Sequence, residues 1–425
     1  MKVQARRATR PRRRAPTRAA KRTFSTSKQR SDPARPPAAA VRDYETVALV
    51  LPGGGALGAY QCGVYEGLHE AGILPDCFAG ISVGAINAAI LAGNAPERRV
   101  ARLREFWNRV STPALPLPRA ALDWQREWLD ALPKSGASSA WTDTLAALGA
   151  LWIGQHGFFV PRVPPPFAAR AGTKGATSFY SVEPLRRSLL ELVDFDRIND
   201  GTTRFAVGAV NVRTGNFAYF DNRRARIGVE HVLASSALPP GFAAVEIDGE
   251  SYWDGGVVSN TPLEYIMDET PRRDTLAFQV DLWSARGSLP RTLADVLERQ
   301  KDIQYSSRTR AGTDRIALQQ LLRRTLGELA GHLPGKRFPP KFARALEPWT
   351  CTKALNIVHL IYQAKSYEEQ YKDYAFGPAT MREHWSAGLA DMEKTLLHPD
   401  WFARPADGGV ATHDIHRGDG GGKGR

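Results

Sequence analysis

Five residues, Gly80-Ile81-Ser82-Val83-Gly84, constrain this chain more than any other stretch. They set a serine between small residues where an apolar run (Cys77, Phe78, Ala79) gives way to a helical pattern from Ala85 to Ala92. A serine in such a strand-to-helix elbow stands clear of the backbone. The flanking glycines permit the sharp turn and leave room for a substrate. Taken alone, the segment also fits a tight turn with an incidental serine. Two further glycine motifs favour a serine acyl hydrolase.

The first lies upstream. Thr46 to Leu51 is a short, β-branched apolar run bounded by Pro52, which predicts a buried strand. Gly53-Gly54-Gly55-Ala56-Leu57-Gly58 follows, then helical spacing from Ala59 to Ala71 through Tyr60, Val64 and Leu68. A glycine loop between strand and helix gathers backbone N–H groups beside the positive end of a helix dipole, which suits a phosphate or an oxyanion. Gly53-x-Gly55-x-x-Gly58 also meets the dinucleotide fingerprint, which expects an acidic residue ending a second strand about 20 positions on. Asp76 has the spacing, but it follows Leu74-Pro75 in a turn, and a nicotinamide enzyme has no use for the serine elbow that comes next.

The second is Asp254-Gly255-Gly256. Ala244 to Ile247, the turn pair Asp248-Gly249, and Tyr252-Trp253 predict a hairpin. Asp254 then ends a strand, with two glycines keeping the space before it open. By itself an Asp before Gly is ordinary turn chemistry.

Together these motifs resemble the patatin-like phospholipases: the loop Gly53 to Gly58, the elbow Gly80 to Gly84 continuing to Ala89, and Asp254-Gly255-Gly256. Ala234 to Phe242 is similar to the segment that family carries before its aspartate hairpin, and the resemblance runs from about Glu45 to about Leu282. The later run Asp281 to Gly287 resembles a bacterial branch with a C-terminal extension of unknown role. The resemblance implies a three-layer α/β/α fold with a mostly parallel central sheet and a helical C-terminal extension; no pair of His, Cys or Asp/Glu shows metal-ligand spacing, and no metal or cofactor is expected.

It also implies a dyad acting on a lipid or other ester substrate. Ser82 is the expected nucleophile and Asp254 the base. Gly53, Gly54, Gly55 and Gly58 are expected at the oxyanion, with Gly80, Gly84, Gly255 and Gly256 in support. An ordinary aspartate, with a pKa of about 4, is a poor base at neutral pH, so the oxyanion site is expected to carry much of the catalysis. Many members have a basic residue where Leu57 stands, which weakens a phosphate grip by this loop.

Two rival readings stay open. A Ser–Asp–His esterase of the α/β-hydrolase type fits the chain order, with His359, His384 or His398 as the third member, although that fold places several strands before its nucleophile. A catalytically silent lipid-binding protein would keep the fold, but both dyad residues are retained.

Charge divides the chain. Residues 1–42 hold fourteen Lys or Arg against Asp32 alone, a balance of +13 that equals that of the entire chain. The basicity therefore belongs to a leader, expected to be disordered for want of large apolar residues, and not to a nucleic-acid-binding fold. Such a leader suits a transit peptide, peripheral contact with anionic lipid, or no role. Cys62, Cys77 and Cys351 form no close pair, which fits a reducing, cytoplasmic setting. The charge-free run from Cys77 to Pro96 is explained by the elbow and its buried helix, so no membrane span is expected, and the leader lacks the apolar run that a secretory signal needs.

The expected organisation is a leader over 1–42, a hydrolase core over 43–285, a mainly helical extension over 286–403 and a flexible end over 404–425. A tryptophan-rich insertion over about 113–174 (Trp124, Trp128, Trp141, Trp152) reads either as core or as a lipid-contacting lid. Further expectations are a helix from an N-cap at Ser181 to Leu192, a hairpin of Phe205–Val212 with Asn216–Phe220, and a strand over Thr275–Leu282. Beyond them come helices over Leu293–Arg310 and Asp314–Leu329, a returning strand at Leu355–Ile361, and a last helix over Thr380–Leu397.

Overall fold

A computed structural model describes residues 37–112, 153–306, 309–332, 345–346, 349–363 and 372–416. Its strands are β1 (Thr46–Leu51), β2 (Cys77–Gly80), β3 (Val160–Pro161), β4 (Tyr180–Ser181), β5 (Arg204–Asn211), β6 (Phe217–Asp221), β7 (Val245–Ile247), β8 (Glu250–Asp254), β9 (Thr275–Asp281), β10 (Leu355–Ile361) and β11 (Val410–Asp414). Nine of them form one sheet in the order β11-β10-β9-β1-β2-β5-β8-β7, with β6 also on β5. The ladders from β11 through β5 are parallel, while β6, β7 and β8 are joined antiparallel. β3 and β4 pair separately.

Strand alternation builds the three layers. In β1, Leu49 and Leu51 point into the larger core, while Ala48 and Val50 point to the opposite face. The larger face is covered by helices Gly58–Glu70, Val83–Ala92, Pro96–Ser111 and Pro378–Leu396. The other receives Leu263, Ile266 and Met267 from a short helix and Ile316 from helix Thr309–His332. A parallel strand buried on both faces needs an unbroken apolar run, and β1 has one. The mostly parallel three-layer fold is therefore the one expected.

The strand at Leu355–Ile361 is present, and the last helix runs from Pro378 to Leu396. The hairpin strands are Arg204–Asn211 and Phe217–Asp221, and the two amphipathic helices are Leu293–Tyr305 and Thr309–His332. Asp248 and Gly249 both have positive φ (51° and 80°), as a two-residue hairpin turn of this type requires.

Several expectations are corrected. Ser181 ends β4 and so lies one residue before the cap position of the expected helix, although its hydroxyl still accepts from Glu183 N at 3.4 Å. That helix begins at Glu183, with Val182 at its cap and Pro184 fixing the first turn. The end of the leader is ordered: Pro37–Ala40 is a helical turn, and Ala40 and Val41 are buried in the larger core. The supposed flexible end contains β11, which gains a full parallel ladder with β10 from Leu355↔Val410 to His359↔Asp414. The region after residue 286 thus adds two strands to the sheet as well as helices. The four tryptophans of the insertion, and the leader through residue 36, lie outside the described residues. Cys62, Cys77 and Cys351 are all buried free thiols. Among the described residues no helix is long and apolar enough to cross a membrane.

Candidate active site

The elbow forms because β2 ends at Gly80 and helix Val83–Ala92 begins three residues later. Ser82 between them adopts φ 57°, ψ −127°, a conformation that costs a non-glycine residue about 1–3 kcal/mol. The surroundings hold it there. Its N–H donates to the Ser235 carbonyl at 3.0 Å, with Ser235 Oγ at 3.3 Å, and the Ser236 hydroxyl donates to its carbonyl at 3.1 Å. Ser235 Oγ in turn donates to Gly208 O at 2.6 Å, which fastens the brace to β5. The glycines are a matter of space: a Cβ on Gly84 would sit 2.1 Å from Leu51 O, and one on Gly80 2.3 Å from Gly84 O.

The aspartate reaches the serine through a handover on one edge of β5. Gly80, the last residue of β2, pairs with Val207, and Asp254, the last residue of β8, pairs with Ala209. The opposite edge of β5 is occupied by β6 over the same stretch, so β8 takes the place that β2 vacates. Both strand ends open on one cavity of about 130 Å³.

Asp254 is 1% exposed. Its Oδ1 accepts from Gly256 N at 2.7 Å, while Oδ2 makes no hydrogen bond of standard geometry among the described residues. Burial pushes its pKa up to about 7, against smaller lowering effects of the nearby Ser82 hydroxyl and the Gly256 N–H. A hydroxyl close enough to lower the pKa yet short of a formed bond to Oδ2 is common in unliganded sites. The carboxyl is thus not the ordinary one the sequence suggested. Its pKa matches neutral pH, which relaxes the demand placed on the oxyanion site.

The glycine loop is held at both ends. Asn260 accepts from Gly53 N at 3.0 Å and donates to Gly53 O at 3.0 Å and to Tyr305 O at 2.9 Å. The Trp283 indole N–H also donates to Gly53 O, at 2.9 Å. At the far end Ala56 N donates to Asp373 O at 2.9 Å. Gly55 has φ 56°, and a Cβ there would lie 2.2 Å from that carbonyl, so only glycine fits.

These bonds narrow the expected oxyanion donors. The Gly53 N–H is engaged by Asn260 and the Gly58 N–H by Gly55 O. Gly54 and Gly55 line the cavity with N–H groups that donate to no described residue. Gly58 instead serves packing, against Val83 and Trp107, and Gly255 lies under Gly208 O.

Phe158, Phe159, Leu238, Phe242 and Phe376 make the cavity apolar, and Lys301, Tyr305, Asp373 and Tyr374 bring the C-terminal region to its wall. No histidine is among these lining residues; His359 is on β10 and His384 on the last helix, beside Ala56 O. Asp76 sits at the start of β2, accepting from Val47 N, at the opposite end of the strands from the glycine loop. The dinucleotide reading fails on that placement. Sequence reasoning missed Asn260, Trp283, Lys301, Tyr305, Asp373, Tyr374 and the aromatic lining. Ser235 and Ser236 were noticed in a family-like segment but given no role.

The patatin family profile, described as patatin-like phospholipase, matches residues 49–267. The chain belongs to the patatin-like phospholipase family. A second profile, described as patatin phospholipase, matches residues 303–408, so the C-terminal region is a family feature too. Similar proteins include the lysophospholipase nte1 of Aspergillus terreus, 52% identical over 50 residues (12% of this chain, 3% of that one). Another is the triacylglycerol lipase ptl3 of Schizosaccharomyces pombe, 42% identical over 59 residues (14% and 12%). The matched stretches span only a small fraction of either relative. Among solved structures, human GIVD cytosolic phospholipase A2 aligns at a TM-score of 0.37 with 12% identity, over 86% of this chain and 63% of that one, which adds nothing to the assignment.

Proposed function

We propose that this member of the family is a serine-dependent carboxylic ester hydrolase acting on lipid-like esters. The observation that carries the reading is the convergence of a serine in a strained elbow and a buried aspartate of pKa about 7 in one apolar cavity. Ser82 Oγ attacks the ester carbonyl carbon as its proton passes to Asp254. Charge develops on the carbonyl oxygen, where the unused Gly54 and Gly55 N–H groups are available to it. Collapse of the tetrahedral intermediate breaks the bond to the leaving alkoxide, which takes the proton from Asp254. Water, deprotonated by the same carboxylate, then cleaves the acyl-serine and regenerates both groups.

The apolar lining suits an acyl chain, and the name of each relative above refers to a lipid ester. The absence of a histidine from the described lining favours the dyad over the Ser–Asp–His alternative. Retention of a nucleophile in a strained elbow speaks against a silent lipid-binding protein, since nothing else in the site rewards that strain. Peripheral contact with anionic membrane through residues 1–42 rests on sequence alone.

Ser82→Ala tests the reading. It should abolish ester hydrolysis and covalent labelling by a fluorophosphonate while leaving Tm nearly unchanged. Turnover or labelling that persists in the variant removes Ser82 from the mechanism.

A further inference from the structure

The hydrolase reading leaves open which ester is cleaved. We propose that the site selects uncharged carboxylic esters of the acylglycerol type over esters that carry a phosphate beside the scissile bond, and that the Lys301–Asp373 pair sets this preference. The proposal rests on the hydrolase reading and deepens it.

A phosphate needs an uncommitted cation. The glycine loop offers none, because Leu57 is fully buried in the larger core. Among the described lining residues the one cationic side chain is Lys301, and its ammonium donates to both carboxylate oxygens of Asp373, at 2.9 and 3.1 Å. It also lies 5.2 Å from the centre of the Tyr374 ring. Behind this pair Lys372 donates to Glu298 at 3.1 Å and Asp302 at 2.8 Å, and Arg299 stands 3.9 Å from Asp302. Lys301, Lys372 and Arg299 thus face Asp373, Glu298 and Asp302, and among the described residues the wall's positive and negative charges balance.

The remaining charged residue of the described lining is Asp254, which is negative when it acts as the base. A phosphate entering beside the ester would have to draw Lys301 from Asp373. That would strand a carboxylate whose side chain is only 15% exposed, while the phosphate also meets the charge on Asp254. An uncharged ester meets neither penalty, and it finds the phenylalanines and Leu238 for its chains.

The experiment compares kcat/KM of the full-length protein for dioleoylglycerol and dioleoylphosphatidic acid, each at equal mole fraction in neutral-detergent micelles. The diacylglycerol should be preferred by at least about tenfold, the effect of roughly one unfavourable charge contact at an intermediate dielectric. Asp373→Asn removes the carboxylate that competes for Lys301 and should lower that ratio by about tenfold, whereas Lys301→Gln strands Asp373 and should raise it. The ratio within one preparation does not depend on the folded fraction, so a partly unstable variant still reports. Equal or faster cleavage of the phosphatidic acid by the wild type overturns the proposal. So does a ratio that stays fixed, or that moves the same way in both variants. Cleavage of neither lipid, or cleavage that survives Ser82→Ala, overturns the hydrolase reading and this proposal with it.

Discussion

The floor and the wall of the cavity are built on different principles. The floor consists of strand ends and tight loops: Ser82, Asp254 and the glycine loop are placed by the β5 ladder and by close backbone approaches. The wall, from helix Leu293–Tyr305 and residues 372–376, is held by long charged side chains and rings. Backbone contacts fix positions to a fraction of an ångström, which bond-making chemistry requires. Side-chain charge pairs tolerate exchange, which suits a surface that sorts substrates. The floor should therefore be brittle in turnover and the wall adjustable.

The largest effect should come at the floor. Asp254→Asn should lower kcat by about two to four orders of magnitude, read with a soluble short-chain ester. In the wild type, kcat/KM should rise with pH through a midpoint near 7, where the carboxyl loses its proton and becomes a base. The same shift has a stability side. Between about pH 4 and 7 the folded protein keeps a proton that the unfolded chain has lost, so stability falls as pH rises through that window. Asp254→Asn should erase this slope and gain up to about 4 kcal/mol at pH 8 by denaturant titration. An inactive variant with the wild-type slope would show that another group titrates there.

Asn260→Ala probes the join between floor and wall, since its amide ties Gly53 to Tyr305. If the loop is held to receive an oxyanion, kcat should fall about ten- to a hundredfold with KM within about threefold. A rise in KM with kcat unchanged would make Asn260 a part of the wall instead.

The smallest effect should come from the wall's backing. Lys372→Met removes a buried cation between two carboxylates and should cost at most about 3–5 kcal/mol in stability. Hydrolysis of the short-chain ester should change by less than about threefold. A hundredfold loss there would erase the contrast between the two regions.

The same contrast explains what could be read in advance. Gly53 to Gly58, Gly80 to Gly84 and Asp254 to Gly256 are local signals, because each turn is made by the residues that display it. The Asp248-Gly249 turn was legible for the same reason, and with it the hairpin that delivers Asp254. Asn260 gave no such signal: its value lies in meeting Gly53 and Tyr305, neither of them near in sequence. Lys301 and Asp373 meet across a still longer interval. The pKa of Asp254 follows from burial, which depends on everything packed around it. β11 was missed because Thr412, His413 and Asp414 make a polar edge strand whose only recommendation is its partner, β10.

The bond from Ala56 to the Asp373 carbonyl also bears on the order of synthesis. Ser82, Asp254 and the glycine loop all leave the ribosome well before residue 373. Until that residue arrives, the loop lacks one of its anchors and the cavity lacks part of its wall, so the nascent chain carries Ser82 and Asp254 in an unfinished vessel. The site thus depends on a contact that the chain can make only after Ser82, Asp254 and the glycine loop have all been synthesised.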